Sequence, residues 1–180
     1  MKKIICLILI SACFAILFAA CDLTKPVDTT ENEKSTDLTD EIDTTLTKES
    51  NKVINTMKLS DIIDKVYSES SLPADDYKYY VTNEINKDSC EYFFGKDFNY
   101  IEAVSSEPEI GYGYSFCLVR VDESKTNDIA KLIEENAKLD KWVCVSAEYK
   151  TVAVNGNVIM LCMTKEETCT ALKTAFLNIK

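Results

Sequence analysis

The sequence predicts an α+β domain, a mostly antiparallel sheet of about four or five strands with about three helices packed on it. Three stretches carry apolar residues at helical spacing, β-branched runs flank Asn155-Gly156, and the run from Tyr112 to Val121 is apolar on both faces. Helices and strands are interleaved with few residues between them, so a single sheet of hairpins covered by helices is the economical arrangement. By size, residues 57–180 make one such domain.

The first helix is read from Leu59, Ile62, Ile63, Val66 and Tyr67, which share one face, and it ends before Pro73. Strands are expected at Tyr100 to Ser105, at Tyr112 to Val121 and, more weakly signalled, at Cys90 to Phe94. The run YGYSFCLVRV does not alternate apolar with polar, so it belongs in the middle of the sheet with both faces covered. Thr126 to Leu139 forms the second helix, with Ile129, Leu132, Ile133 and Ala137 on its inner face. In TVAVNGNVIMLCM the Asn155-Gly156 pair marks a two-residue hairpin turn whose central residues take positive φ. The last helix opens on Thr164-Lys165-Glu166-Glu167, a capping-box pattern, and continues with Cys169, Leu172 and Phe176 as its stripe.

The N-terminal part is of another kind. Lys2 and Lys3 precede an uncharged, mostly apolar run from Ile4 to Cys21, the pattern of a signal peptide over residues 1–20. Phe18-Ala19-Ala20-Cys21 resembles the lipobox of bacterial lipoproteins, in which the cysteine thiol receives diacylglycerol and the chain is cut before it; Phe18 stands where Leu, Val or Ile is usual. That resemblance implies lipidation of Cys21 and a membrane anchor of two acyl chains, enough for stable attachment where one chain is not. An uncleaved membrane helix and free secretion are the alternatives, and in all three the bulk of the chain lies outside the cytoplasm. From Cys21 to Thr56 the sequence is dominated by Thr, Asp, Glu, Lys and Ser, too polar to offset its ordering entropy, so it is expected to be a flexible acidic tether. Some 35 such residues have a mean reach of roughly 30 Å.

The formal net charge is −10 at pH 7, and loss of Lys2 and Lys3 with residues 1–20 takes it to −12. Such a balance disfavours nucleic acid and anionic lipid surfaces as partners. There is no histidine and one arginine, Arg120, so catalysis by Ser-His-Asp or Cys-His and any His-ligated metal site are excluded. No cofactor is expected. Five of the eight cysteines lie in the domain: Cys90, Cys117, Cys144, Cys162 and Cys169. The number is odd, and no two stand in a Cys-x-x-Cys pair. Cys117, Cys144 and Cys162 have apolar neighbours and read as buried thiols acting as small hydrophobes, with one or two bridges as the alternative. Free thiols outside the membrane would suit a reducing habitat.

Residues that could carry chemistry are sparse. Gly111-Tyr112-Gly113 lacks a third glycine and precedes a strand, so it is read as a strand opening and not as a nucleotide loop. Asp75-Asp76, Glu107-Pro108-Glu109 and Asp122-Glu123 supply carboxylates in expected loops, but none follows a calcium-loop pattern, and solvated acidic turns are the default. Tyrosines gather in Tyr77-Lys78-Tyr79-Tyr80, and Tyr77, Tyr79 and Tyr80 are the candidate binding surface, because amphipathic rings suit contact with protein or glycan. The plainer alternative is that they fill the core and rim of the sheet.

Leu72-Pro73 after the first helix, the strand FCLVRVDES, the helix IAKLIEENAKLDKW and the hairpin AVNGNVIMLCM are similar to a group of small, uncharacterised lipoproteins from Gram-positive anaerobes that share a conserved domain of unknown function. The resemblance spans roughly residues 62–180. It implies a fold and an envelope location, and it implies no cofactor or active site. The expected function is that of an extracytoplasmic binding or accessory module, anchored to the membrane through Cys21, with envelope protein or cell-wall material as partner. A carboxylate-dependent cell-envelope glycan hydrolase is the alternative.

Overall fold

The computed structural model describes residues 53–110 and 112–180. Cys21, the signal peptide and most of the tether lie outside the described residues. Five strands form one sheet in the order β1-β2-β3-β5-β4: β1 (Tyr80–Glu84), β2 (Glu102–Pro108), β3 (Ser115–Arg120), β4 (Tyr149–Asn155) and β5 (Val158–Thr164). Every neighbouring pair is antiparallel. Among the described residues, these α-helices lie against the sheet: α1 (Leu59–Glu69), α2 (Cys90–Phe94), α3 (Thr126–Asn136) and α4 (Glu166–Leu177).

The helices lie on both faces, and the central strands explain why. Along β3, Phe116 and Leu118 join the core beneath α1 and α4, whereas Cys117 and Val119 join the core beneath α2 and α3. Along β5, Val158, Met160 and Cys162 face the first core, and Ile159, Leu161 and Met163 face the second. Strands that are apolar on every residue cannot leave a face to water, so β3 sits in the middle of the sheet with β5 beside it. The edges are β1, whose residues are exposed or partly buried, and β4, where partly buried residues alternate with buried ones.

Three expected features differ in detail. Cys90 to Phe94 is the helix α2 and not a strand; its aromatic residues suit either state, and Gly95, at φ 80°, closes the turn as a left-handed cap. The capping box does not form, because Thr164 is still the last residue of β5 and Lys165, which makes no side-chain cap bond, precedes α4. The β4–β5 hairpin is present, displaced by one residue: Asn155 pairs with Val158, so Gly156 and Asn157 are the central residues and only Gly156 has positive φ. Glycine at the first central position with a negative φ after it is the pattern of a type II′ turn.

Ile54 and Asn55, placed by composition at the end of the tether, belong to the folded unit. Ile54 is fully buried, and Arg120 donates from Nη1 to the carbonyl oxygens of Ile54 (3.1 Å) and Asn55 (2.6 Å) and from Nη2 to that of Met57 (2.5 Å). Asn55 Oδ1 also accepts from the Asn157 amide at 2.8 Å. The chain is thus fastened at the end of the sheet formed by Glu102, Arg120, Asn155 and Val158. Tyr80, Pro108, Ser115, Tyr149 and Thr164 form the opposite end, called distal below. The five steps along β3 from Ser115 to Arg120 separate the two by about 17 Å at the rise of an antiparallel strand.

Candidate functional site

The distal end carries a tyrosine cluster drawn from α1, the turn before β1, β1 itself and the residue that precedes β3. The face of α1 that brings Tyr67 into the core sets its ring against Tyr77, stacked at 4.4 Å between centroids and 11° between planes. Tyr80, opening β1, packs edge-on to Tyr67 at 6.3 Å and tilted against Tyr114 at 4.6 Å. Phe116 supports Tyr67 from below at 5.6 Å. Offset and edge arrangements of this kind satisfy the ring quadrupoles and add about 0.5–1.5 kcal/mol per pair to the burial itself.

The hydroxyls form a relay. Tyr67 donates to Ser106 Oγ at 2.8 Å, which leaves its oxygen to accept from the Tyr114 hydroxyl at 2.9 Å. Tyr77 donates to the Tyr67 carbonyl at 2.7 Å. Burial pushes the Tyr67 and Tyr114 phenols well above the usual tyrosine range, with the hydrogen bonds to Ser106 and Tyr114 opposing the shift at Tyr67. Burial is also the larger cause of the upward shift at Tyr80, with Asp76 adding to it. These rings stay neutral and act as donors and apolar walls.

Beside the cluster lies a hollow of about 340 Å³. Tyr77, Tyr80, Tyr112 and Tyr114 make one wall; Thr164, Lys165, Glu167 and Thr168, from the β5–α4 junction, make the other. Tyr79 and Tyr112 stand out from the distal end, 74% and 71% exposed. The three tyrosines singled out in the sequence therefore divide. Tyr77 and Tyr80 are half-buried and line the hollow, and Tyr79 points to solvent with the Lys78 ammonium 5.0 Å from its ring. Tyr67 and Ser106 were invisible as site residues, since their contacts span 39 and 47 positions along the chain and each reads locally as part of a helix face or strand.

A second arrangement ties down the loop between α3 and β4. The Lys141 side chain is only 4% exposed, with its ammonium 2.8 Å from Glu107 Oε1 and 3.0 Å from Ser115 Oγ. The rings of Tyr92, Phe93 and Trp142 surround it at 4.4 to 4.9 Å. Although a serine and a lysine side chain are adjacent, Ser115 is fully buried and the ammonium is held by a carboxylate, so the pair has neither an accessible nucleophile nor a free base. Further along this loop Cys144, expected to be buried, is exposed at φ 71°, beside Val143 at 90% exposure. The turn that frees it is fixed by Gly113, where a β-carbon would come 2.6 Å from the Ser146 carbonyl oxygen.

The carboxylates noted in the sequence do not converge. Asp75 pairs with Lys78 at 2.6 Å and Glu107 with Lys141, and among the described residues no group of three or more Cys, Asp or Glu side chains is placed to hold a metal ion. Another hollow, about 1010 Å³, is edged by Glu69, Glu148, Glu166 and Glu167, all exposed. None sits among apolar neighbours, the setting in which a glycosidase keeps its proton donor. Among the described residues, no helix is long and apolar enough to cross a membrane. Comparison with protein-family models, with curated proteins and with solved structures found no match.

Proposed function

We propose that the protein is a membrane-anchored extracytoplasmic lipoprotein that acts as a binding or accessory module at the cell envelope, with the distal tyrosine hollow as its contact site. One observation carries the reading: the hollow and the exposed Tyr79 and Tyr112 gather at the end of the sheet opposite the point where Arg120 fastens residues 54–57. That end is free of the contacts that fasten residues 54–57 to the fold, so it is open to a partner within the reach of the tether. The lipobox-like Ala19-Ala20-Cys21 after an apolar run supports the anchor, as does the resemblance to lipoproteins of Gram-positive anaerobes.

Chemistry narrows the partner. Aromatic faces beside the hydroxyls of Thr164 and Thr168 and the carboxylates of Asp76 and Glu167 suit an uncharged glycan of the cell wall or a neutral to basic segment of an envelope protein. A net charge of −10 works against anionic polymers. The hollow is at the small end of the range that holds a small ligand, so it would take one group of a larger partner.

The test begins with the intact mass of full-length protein extracted from membranes, beside Cys21→Ser. A chain starting at Cys21 with a diacylglyceryl adduct, absent from an unprocessed variant, is the expected result; an unmodified wild-type chain removes the lipoprotein reading. Co-sedimentation of the same protein with purified cell-wall glycan, and cross-linking to envelope proteins, then separates the partners. Tyr112→Ala is expected to lower capture severalfold in whichever assay is positive, and undiminished capture would rule out the hollow.

A further inference from the structure

Cys162 and Cys169 are both fully buried, and their sulfur atoms lie 3.3 Å apart across the junction of β5 and α4. The placement follows from local geometry. Cys162 is an inward residue of β5 on the face covered by α4, and Cys169 is the fourth residue of that helix. A helical side chain leans back over the turn that precedes it, so the Cys169 thiol is directed toward the end of the strand it follows. The other domain thiols are differently placed: Cys90 meets the Lys96 carbonyl, Cys117 meets Ser115 Oγ, and Cys144 is exposed.

We propose that Cys162 and Cys169 are an oxidisable pair, converted to an intramolecular disulfide by exchange with an external disulfide. The Cys169 thiolate attacks one sulfur of the donor, forming a mixed disulfide and expelling the first donor thiolate. Cys162, deprotonated, then attacks the Cys169 sulfur and expels the second. The protein loses two protons and two electrons, and the donor disulfide is reduced to two thiols. A bond length near 2.05 Å requires the sulfurs to approach by about 1.2 Å, within the reach of small χ1 changes on two side chains.

The order of attack has a physical cause. The hydrogen bond shared with Cys162 lowers the Cys169 thiol below its ordinary range, against the opposing effect of burial, and the Thr164 backbone adds to the lowering; burial pushes Cys162 up. The folded sulfurs are closed to solvent, so exchange takes place before α4 docks or when its first turn opens. That turn lacks a side-chain cap at Lys165, which lowers the cost of opening it.

The bridge would close an eight-residue ring that contains Thr164, Lys165, Glu167 and Thr168, the second wall of the distal hollow. It would therefore hold that wall in place. This consequence rests on the binding reading above; the bridge itself does not.

Full-length protein is reduced, equilibrated over a series of oxidised to reduced glutathione ratios, denatured in alkylating reagent and mapped by peptide mass. The expected result is that Cys162 and Cys169 leave the alkylated pool together and are recovered linked, two hydrogens lighter, while Cys90 and Cys117 stay alkylated. Equal alkylation of all four at every ratio, or linkage of either cysteine to a different one, overturns the proposal. Cys162→Ala and Cys169→Ala serve as controls, each expected to abolish the linked peptide. Because either could weaken the core, the wild-type map decides. The map reads no ligand, so its failure is distinct from a failure of capture by the hollow.

Discussion

Arg120 Nε lies 2.7 Å from Glu102 Oε1, joining the last residue of β3 to the first residue of β2 directly opposite. The remaining guanidinium donors hold Asn157 Oδ1 and three carbonyls of residues 54–57. One planar cation thus closes the sheet's proximal end and fastens the chain leading to it, a task that needs the forked geometry of arginine.

Arg120→Ala is expected to lower stability by about 3 kcal/mol, since it leaves the buried Ile54 carbonyl unpaired. Glu102 is 46% exposed on its side chain and regains water, so Glu102→Gln should cost under about 1 kcal/mol. Urea denaturation of both variants checks the asymmetry. Arg120→Lys keeps the charge and loses the fork; faster amide hydrogen exchange at Asn157 in that variant would report release of the Asn55 clip.

Tyr67→Phe removes one hydroxyl and strands two groups, Ser106 Oγ and the Tyr114 hydroxyl, in a buried setting. A loss of about 2 kcal/mol is expected. Tyr114→Phe removes only the end of the relay and should cost less. A double-mutant cycle by chemical denaturation measures the coupling, which is expected to be nonzero because the two hydroxyls share a bond.

Much of this architecture was legible in the sequence because it rests on local periodicity. The stripes Leu59-Ile62-Ile63-Val66-Tyr67 and Cys169-Leu172-Phe176 are buried as read, and YGYSFCLVRV contains the middle strand because nothing along it could face water. The readings that differ depend on single residues whose environment is set from afar. Cys90 to Phe94 has the composition of a strand, and its state is decided by Gly95 and by burial of Cys90 and Phe94 in the core they share with α3. Cys144 has the apolar flanks of a core residue, yet the Lys141 cage and the Gly113–Ser146 approach turn its loop outward. At the hollow, the tyrosine run 77–80 could be seen, but the Tyr67–Ser106–Tyr114 relay that supports it joins α1, β2 and the residue before β3.

The same cluster predicts a division among its tyrosines. Tyr79→Ala and Tyr112→Ala remove exposed rings and should change stability by less than about 0.5 kcal/mol. Tyr80→Ala opens a gap against Tyr67 and Tyr114, and a loss of about 2 kcal/mol or more is expected. Thermal and urea unfolding of the three variants checks this. Only the first two are clean tests of partner capture, because Tyr80→Ala disturbs wall and fold together.

Cys117 gives a prediction with a definite pH window. Burial raises its thiol to about 11 from an ordinary value of 9.0, with the Lys141 ammonium pulling in the opposite direction. The unfolded chain therefore releases this proton at lower pH than the folded one. Between pH 9 and 11 the native state binds more protons than the unfolded state, so stability falls as pH rises. The contribution is complete below pH 9 and lost progressively toward 11, by about 2 to 3 kcal/mol at 1.36 kcal/mol per unit. Cys117→Ala removes the titrating group, so the difference between its stability curve and that of the wild type isolates the effect. That difference should be constant up to pH 9 and shift by the stated amount above it. A difference that stays constant to pH 11 would mean that the Cys117 thiol ionises alike in both states, and that Lys141 and Ser115 offset its burial in full.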